Sequence, residues 1–315
     1  MYKHFLTSVL LVFFMLSCSK PSPFEGKMRE SVQTSLSWRN DTTGIWETAG
    51  WWNSANVLTA TIRYGAVTKD PAIPSVIEDV FEKARHYQVG VDSTGTPRYC
   101  DNFINDYYDD EGWWALAWIE ASKLTGEKKY LDMAEIIFDD MTTGWSDACG
   151  GGIFWKKNPL HYKNSIANNL FSLTAIRLYK ATQNPAYLDW FKKNVDWYTQ
   201  TGMINTDIYQ IEDGTKDDCT PNRNAHYTYN QGVAIAVLAE MYLQTNDKSY
   251  LELAEKIADA TITTQLVTDE GILREMKPEI DDSNDGVQFK GIFIRHLAFL
   301  YEVTKNPAYK DFILK

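Results

Sequence analysis

The chain has 315 residues, 44% of them apolar and 14% aromatic, so it can bury a large core as one big domain or two smaller ones. Its formal net charge of −11 excludes a nucleic-acid partner, because gripping a phosphate backbone takes a Lys/Arg surface that releases counterions. Eleven Trp and eighteen Tyr exceed what a core needs and point to a groove for a ligand with flat apolar faces, as a carbohydrate has.

Lys3 and His4 precede the apolar run Phe5 to Leu16, which ends in Leu16-Ser17-Cys18. A positive start and an apolar core too short to span a bilayer mark residues 1–17 as a signal peptide. It resembles a bacterial lipoprotein signal, which implies a lipid on the Cys18 thiol and no other contact with a membrane. In some such lipoproteins an acid after the lipidated Cys directs export to the surface. Ser19-Lys20-Pro21-Ser22-Pro23 has none, so the periplasmic face of a bacterial cell envelope is expected over the cell surface. Residues 18–26 read as a tether, since Pro21, Pro23 and Gly26 oppose regular structure, and 27–315 as one domain. Cys100, Cys149 and Cys219 remain, without CxxC or Cys/His spacing, so neither a disulfide framework nor a zinc site follows. One bridge is compatible with an oxidising periplasm, and Cys100–Cys149 is one pairing.

A helix is expected from Met28 to Trp38 and a second from Trp51 to about Val67. The hexamers Thr68-Lys69-Asp70-Pro71-Ala72-Ile73, Thr125-Gly126-Glu127-Lys128-Lys129-Tyr130, Thr182-Gln183-Asn184-Pro185-Ala186-Tyr187, Thr245-Asn246-Asp247-Lys248-Ser249-Tyr250 and Thr304-Lys305-Asn306-Pro307-Ala308-Tyr309 are variants of one turn, their threonines 57, 57, 63 and 59 residues apart. A period near 60 with a helix on either side of each turn means stacked αα-hairpins. The helix before a turn is apolar all round, as in Trp113–Ala121 and Val233–Leu243; the one after carries a stripe, as in Leu251, Ala254, Ile257 and Ala258. Buried helices alternating with peripheral ones predict two concentric rings, an all-α (α/α)6 barrel. The sixth inner helix is missing and is expected beyond residue 315.

The long loops, Tyr99–Tyr108, Trp145–Tyr162, Gly202–Tyr229 and Gly271–Gln288, each precede an inner helix and so gather at one mouth. At the end of the first, Asp109-Asp110-Glu111 stands where an aromatic loop becomes a buried helix, after Tyr107-Tyr108 and before Trp113-Trp114. Acids there either cap the helix and answer its dipole or form a catalytic pair among rings that stack on sugars. Neighbouring carboxyl groups at a loop-to-helix junction can diverge while their Cα atoms stay ~3.8 Å apart, and the like charge and aromatic walls raise the proton affinity of one beside an ionised other. Trp51, Trp52, Trp113, Trp145 and Trp155 read as core or as sugar platforms. Asn53, Asn102, Asn105, Asp147, Asn230, Gln231 and Lys290 read as hydroxyl binders or as inner-helix caps. Gly150-Gly151-Gly152 lacks the spacing of a phosphate cradle and reads as a tight turn that lets backbone approach a sugar. His86, His161, His226 and His296 have no metal-ligand spacing, so neither metal nor cofactor is required.

Tyr107 to Trp118, with Trp51-Trp52-Asn53-Ser54-Ala55-Asn56, Cys149-Gly150-Gly151-Gly152-Ile153, Tyr229-Asn230-Gln231-Gly232 and Gln288-Phe289-Lys290-Gly291-Ile292-Phe293, resembles glycoside hydrolase family 76 over about residues 28–315. The resemblance implies an (α/α)6 fold and retaining, endo-acting cleavage of α-1,6-mannosidic linkages in mannan, with Asp109 as nucleophile and Asp110 as general acid/base. It also leaves room for a transglycosidase of the same family, or for a glycan-binding lipoprotein that has lost turnover. This sequence departs from the family pattern at its end, where members continue for roughly one more helical hairpin.

Overall fold

The computed structural model describes residues 23–157, 162–223, 225–281, 283 and 285–315. The signal peptide, Cys18 and the start of the tether lie outside the described residues. Helix α1 (Pro23–Ser37) begins inside the stretch expected as tether. A proline in the first turn gives up an N–H that had no intrahelical partner, and Met28, Val32 and Leu36, one helical face, pack on the core. Then come hairpins α2 (Trp51–Thr68)/α3 (Ile73–Ala84), α4 (Tyr108–Thr125)/α5 (Lys128–Thr142), α6 (Ser165–Thr182)/α7 (Pro185–Tyr198), α8 (Thr228–Thr245)/α9 (Lys248–Thr263) and α11 (Gly286–Thr304)/α12 (Pro307–Ile313), with the single turn α10 (Pro278–Asp281) before the last. Two short antiparallel ribbons lie in the mouth loops: β1 (Gln88–Val91) with β2 (Pro97–Tyr99), and β3 (Ile204–Asn205) with β4 (Gln210–Ile211).

The repeated hexamer explains itself atom by atom. Its threonine hydroxyl donates to the carbonyl four residues back, at 2.8–3.0 Å in all five turns. The next residue, Lys69, Gly126, Gln183, Asn246 or Lys305, takes the left-handed conformation that ends the helix. Asn184, Asp247 and Asn306 then accept the N–H of Ala186, Ser249 and Ala308 at 2.9–3.1 Å, capping the outer helix, and proline at its first turn sacrifices nothing. The closing tyrosine joins one hairpin to the one before: the Tyr130 hydroxyl donates to Glu78 on α3 at 2.7 Å, and Tyr187 to Glu135 on α5 at 2.8 Å.

The inner helices α2, α4, α6, α8 and α11 pack each on the next, and each outer helix packs on its hairpin partner. In α6 every residue from Ser165 to Leu178 is buried, whereas α9 buries only Ala254, Ile257, Ala258 and Thr261. A Cβ on Gly232 would stand 2.7 Å from the Phe293 Cα, so glycine sets how closely α8 and α11 approach. This is an (α/α) barrel with five inner helices among the described residues. Between α11 and α2 the packing is looser, with Arg295 donating to Asn56 at 2.7 Å and the Trp52 and Phe289 rings 6.2 Å apart, and α1 packs on α2 beside the groove they leave.

Candidate active site

The inner-helix N-termini converge at the mouth, where Trp52 of α2, Asp109, Asp110 and Trp113 of α4, Asn164 before α6, Tyr227 and Tyr229 at α8 and Asp285 and Phe289 at α11 line one cavity of about 580 Å³. A second cavity of about 560 Å³ adjoins it and shares Trp52, Tyr107, Asp110, Ser283 and Asp285. Asp110 therefore stands between two stretches of one cleft. The walls are aromatic: Trp52 stacks on Trp113 with centroids 6.0 Å apart, Tyr229 on Phe289 at 3.9 Å, and Tyr107 tilts against Trp155 at 5.1 Å.

Asp109 and Asp110 occupy the first turn of α4, held there by their neighbour Glu111. Glu111 is fully buried, accepts the Asn105 N–H at 3.2 Å and receives Lys157 Nζ at 2.7 Å, which pins the preceding loop to the helix. Asp109 Oδ2 accepts from Trp155 Nε1 at 3.0 Å, and its Oδ1, buried, has no hydrogen-bond partner among the described residues. Burial, and then the charge of Asp213, push the Asp109 carboxyl up to about 7. Asp110 Oδ2 accepts from Asn105 Nδ2 at 2.7 Å. Burial, then Asp109 and then Asp285, hold Asp110 well above the usual carboxylate range. Asp213 takes hydrogen bonds from the Tyr162 hydroxyl at 2.6 Å and Asn230 Nδ2 at 3.2 Å, while burial raises it as well. Asp109, Asp110 and Asp213, all raised by burial, thus face one aromatic-walled cleft beside Asp285, the condition for placing an acid beside a base at neutral pH.

Among the residues singled out by sequence, Asp109, Asp110, Trp52, Trp113 and Trp155 line the larger cavity, and Trp51, Asn53 and Asn105 the smaller. Asn53 donates to Asp285 at 3.3 Å and Asn230 to Asp213, so both position acids. The others serve the frame. Asn102 accepts from Arg85 at 2.8 Å, away from the cleft. Gln231 is buried and brackets Ile211, accepting its N–H at 2.7 Å and donating to its carbonyl at 3.0 Å. Asp147 is exposed at the 3-10 turn Ala148–Gly150, and Trp145 packs on Trp190 and Phe171 outside the cleft. Lys290, on α11, lines neither cavity. The glycine run does not meet the cleft either: a Cβ on Gly152 would lie 2.3 Å from the Trp197 ring, and Lys163 Nζ gathers the carbonyls of Ser146, Ala148 and Gly151. The bridge is Cys149–Cys219, not Cys100–Cys149: it ties the loop before α6 to the loop before α8, while Cys100 is buried as a free thiol beside Tyr87.

Sequence reasoning missed Asp213, Asp285 and Tyr162. Asp285 had a signal, an acid one residue ahead of an inner helix like the acids of α4. Asp213 had none, because its loop turns back on α6, where the Ser165 N–H donates to the Asp213 carbonyl at 2.8 Å.

Residues 25–315 match the family model described as Glycosyl hydrolase family 76. A protein of Listeria innocua of known structure is 28% identical, with a TM-score of 0.78 over 92% of this chain and 83% of its own. An alpha-1,6-mannanase of Salegentibacter sp. is 25% identical, with a TM-score of 0.78 over 92% of this chain and 86% of its own. A mannan endo-1,6-alpha-mannosidase of Saccharomyces cerevisiae is 29% identical over 63% of this chain and 48% of its own length. The chain spans between 48% and 60% of the length of such curated relatives.

Proposed function

The chain belongs to glycosyl hydrolase family 76, and from that premise we propose that it is a retaining glycoside hydrolase cleaving α-1,6-mannosidic linkages within mannan chains. The observation that carries this reading is the Asp109–Asp110 pair on the floor of an aromatic-walled cleft that continues on both sides of Asp110. The names of the Salegentibacter and yeast relatives supply the linkage and the sugar.

Asp109 Oδ1, free of hydrogen bonds, attacks the anomeric carbon as the bond to the leaving oxygen breaks. Asp110 gives that oxygen its proton. It is suited to the acid role because burial and the neighbouring charge of Asp109 both favour its protonated form, and Asn105 occupies only its Oδ2. In the second half Asp110, now ionised, takes a proton from the water that attacks the glycosyl ester, freeing Asp109 with configuration retained. Rings such as Trp52, Trp113, Tyr229 and Phe289 offer flat faces to the sugars. A cleft running past the acid on both sides admits a chain rather than a chain end, which is the case for endo action. The proposed setting is the periplasmic face of a bacterial envelope, through a lipid on Cys18, and it rests on the sequence signal.

Incubation with linear α-1,6-mannan followed by product sizing tests the reading: mid-sized fragments first, with α-anomers as the initial product by proton NMR. Monosaccharide from the outset would overturn endo action. Calorimetric binding of mannan without new reducing ends would replace the enzyme with a glycan-binding protein.

A further inference from the structure

Tyr162 and Asn164 line the cleft, and Lys163 between them points the other way, as alternate residues of an extended segment do. It is fully buried, and its Nζ directs all three donors at carbonyls of one loop: Ser146 at 2.7 Å, Ala148 at 2.6 Å and Gly151. The rings of Phe154 and Trp197 complete the cage, 5.0 and 5.6 Å from the ammonium. Trp197 Nε1 donates to the Cys149 carbonyl at 2.8 Å, and the Cys149–Cys219 bridge ties the same loop to the one before α8, so the cage has holds of its own besides Lys163.

The carboxylate that acts on Lys163 is Asp147, exposed and acting through space, while burial lowers the ammonium to about 8. A buried charge without a close counter-ion is costly, and a peg needed for packing alone could be apolar. What the ammonium holds is the segment 162–165. Its Tyr162 carbonyl accepts the Trp155 N–H at 2.8 Å, its Lys163 carbonyl accepts the Thr215 N–H at 3.0 Å, and the Ser165 N–H donates to the Asp213 carbonyl at 2.8 Å. The segment therefore lies between Trp155, whose ring N–H donates to Asp109, and Asp213, which takes the Tyr162 hydroxyl.

We propose that Lys163 is a positioning residue for the reaction: its ammonium, seated in the carbonyl cage, fixes the segment 162–165 so that the Tyr162 hydroxyl stays on Asp213, the carboxylate that acts on Asp109. This rests on the reading of Asp109 as the nucleophile. Asp213 is also met by Asn230, Asn222, Tyr227, Tyr229 and, through space, Lys277; Asp109 is met by Asp110, Asp213 and Tyr229. The Tyr162 bond favours ionised Asp213, and ionised Asp213 raises Asp109. Releasing Tyr162 therefore leaves Asp213 protonated to higher pH, removes its charge, and lets Asp109 ionise at lower pH.

Lys163→Met and Tyr162→Phe, singly and together in the full chain, give the test. Each single variant lowers kcat/KM on mannan about tenfold at its pH plateau, the scale of one hydrogen bond to a charged group, and the double variant loses little more than either alone. In both, the acid limb of kcat/KM moves to lower pH, and the Asp213 carboxyl, followed by carbon NMR and assigned with Asp213→Asn, keeps its proton to higher pH. Should Lys163→Met not fold, Lys163→Gln, whose amide still donates twice, takes its place in the same cycle. Losses that multiply in the double variant, with the limb and the Asp213 titration unmoved, would make Lys163 a structural peg and overturn the proposal. A limb displaced toward alkali in Lys163→Met would carry the effect through Trp155 and overturn it as well. Asp109→Asn keeps the two readings apart: near-native turnover there removes the nucleophile, while the Asp213 titration still reports whether Lys163 holds Tyr162 in place.

Discussion

At the end of the barrel where the hairpins turn, Asn184, Asp247 and Asn306 each accept a backbone N–H, and Tyr130 and Tyr187 each donate to a carboxylate of the preceding outer helix. At the mouth, the opposite ends of the same helices bring Asp109, Asp110 and Asp285 to one cleft, the loop after β4 adds Asp213, and burial pushes the Asp109, Asp110 and Asp213 carboxyls up from their ordinary values. The turn end pairs polar groups by local rules that lower free energy one turn at a time. The mouth holds groups against their preference, which chemistry requires and stability does not. Variants should therefore separate the two ends.

The largest effect belongs to the mouth. Asp109→Asn should lower kcat on mannan by at least about 10³-fold, because no glycosyl ester can form, while the fold and mannan binding persist. Asp110→Asn should depend on the leaving group: an activated mannoside needs no proton, so its first step survives, the ester accumulates, and azide restores turnover with retained configuration. Near-native rates for both variants would reduce the acids to helix caps and erase the difference between the ends.

A matching change at the turn end should do the reverse. Asn184→Ala or Asn306→Ala removes an N-cap and should cost about 1 kcal/mol, a Tm loss of roughly 2 °C for a chain of this size, with kcat/KM unchanged. A fall in kcat/KM larger than the fall in folded fraction would show that the turn end reaches the cleft.

The contrast also governs what could be read from residues alone. Each hexamer acts within itself, threonine on the carbonyl behind and Asn or Asp on the N–H ahead, so a repeat of period near 60 implied hairpins and rings. Asp109 and Asp110 were legible for the same reason, since they sit in the first turn of a helix whose burial the sequence shows. The rest of the mouth is built across the chain. Asp147 and the glycine run looked like cleft residues until Lys163 Nζ, from beyond the loop, drew its carbonyls onto itself, and Trp197 filled the space beside Gly152. The partner of Cys149 lies 70 residues on, and no local pattern marks it. Asn102 is polar, conspicuous and spent on Arg85.

If the mouth is held against stability, neutralising it should stabilise. A carboxyl whose folded pKa is raised binds its proton more tightly folded than unfolded, so its contribution is fully present below the unfolded value of about 4 and is lost as pH rises toward the folded value, about 7 for Asp109. Asp109→Asn never ionises. Its Tm should exceed wild type by roughly 1–3 °C at pH 7.5 and match it near pH 4. A Tm below wild type at pH 7.5, with the gap closing in acid, would mean that the ionised carboxylate is welcome in the cleft.

The smallest change tests the same balance at one hydrogen bond. Trp155 Nε1 donates to Asp109 Oδ2 at 3.0 Å, and that bond favours the ionised form against burial and the charge of Asp213. Trp155→Phe keeps a ring against Tyr107 and removes the N–H, so the Asp109 carboxyl should rise further. Asp109 must be ionised to attack, hence the acid limb of the kcat/KM profile should move to higher pH, by up to about one unit. The loss of rate should be greatest at acid pH and shrink toward the alkaline side, where the variant nucleophile is also ionised. A uniform loss at every pH would assign Trp155 to sugar stacking alone, and a limb displaced toward acid would mean that Asp109 is not the group whose ionisation starts the reaction.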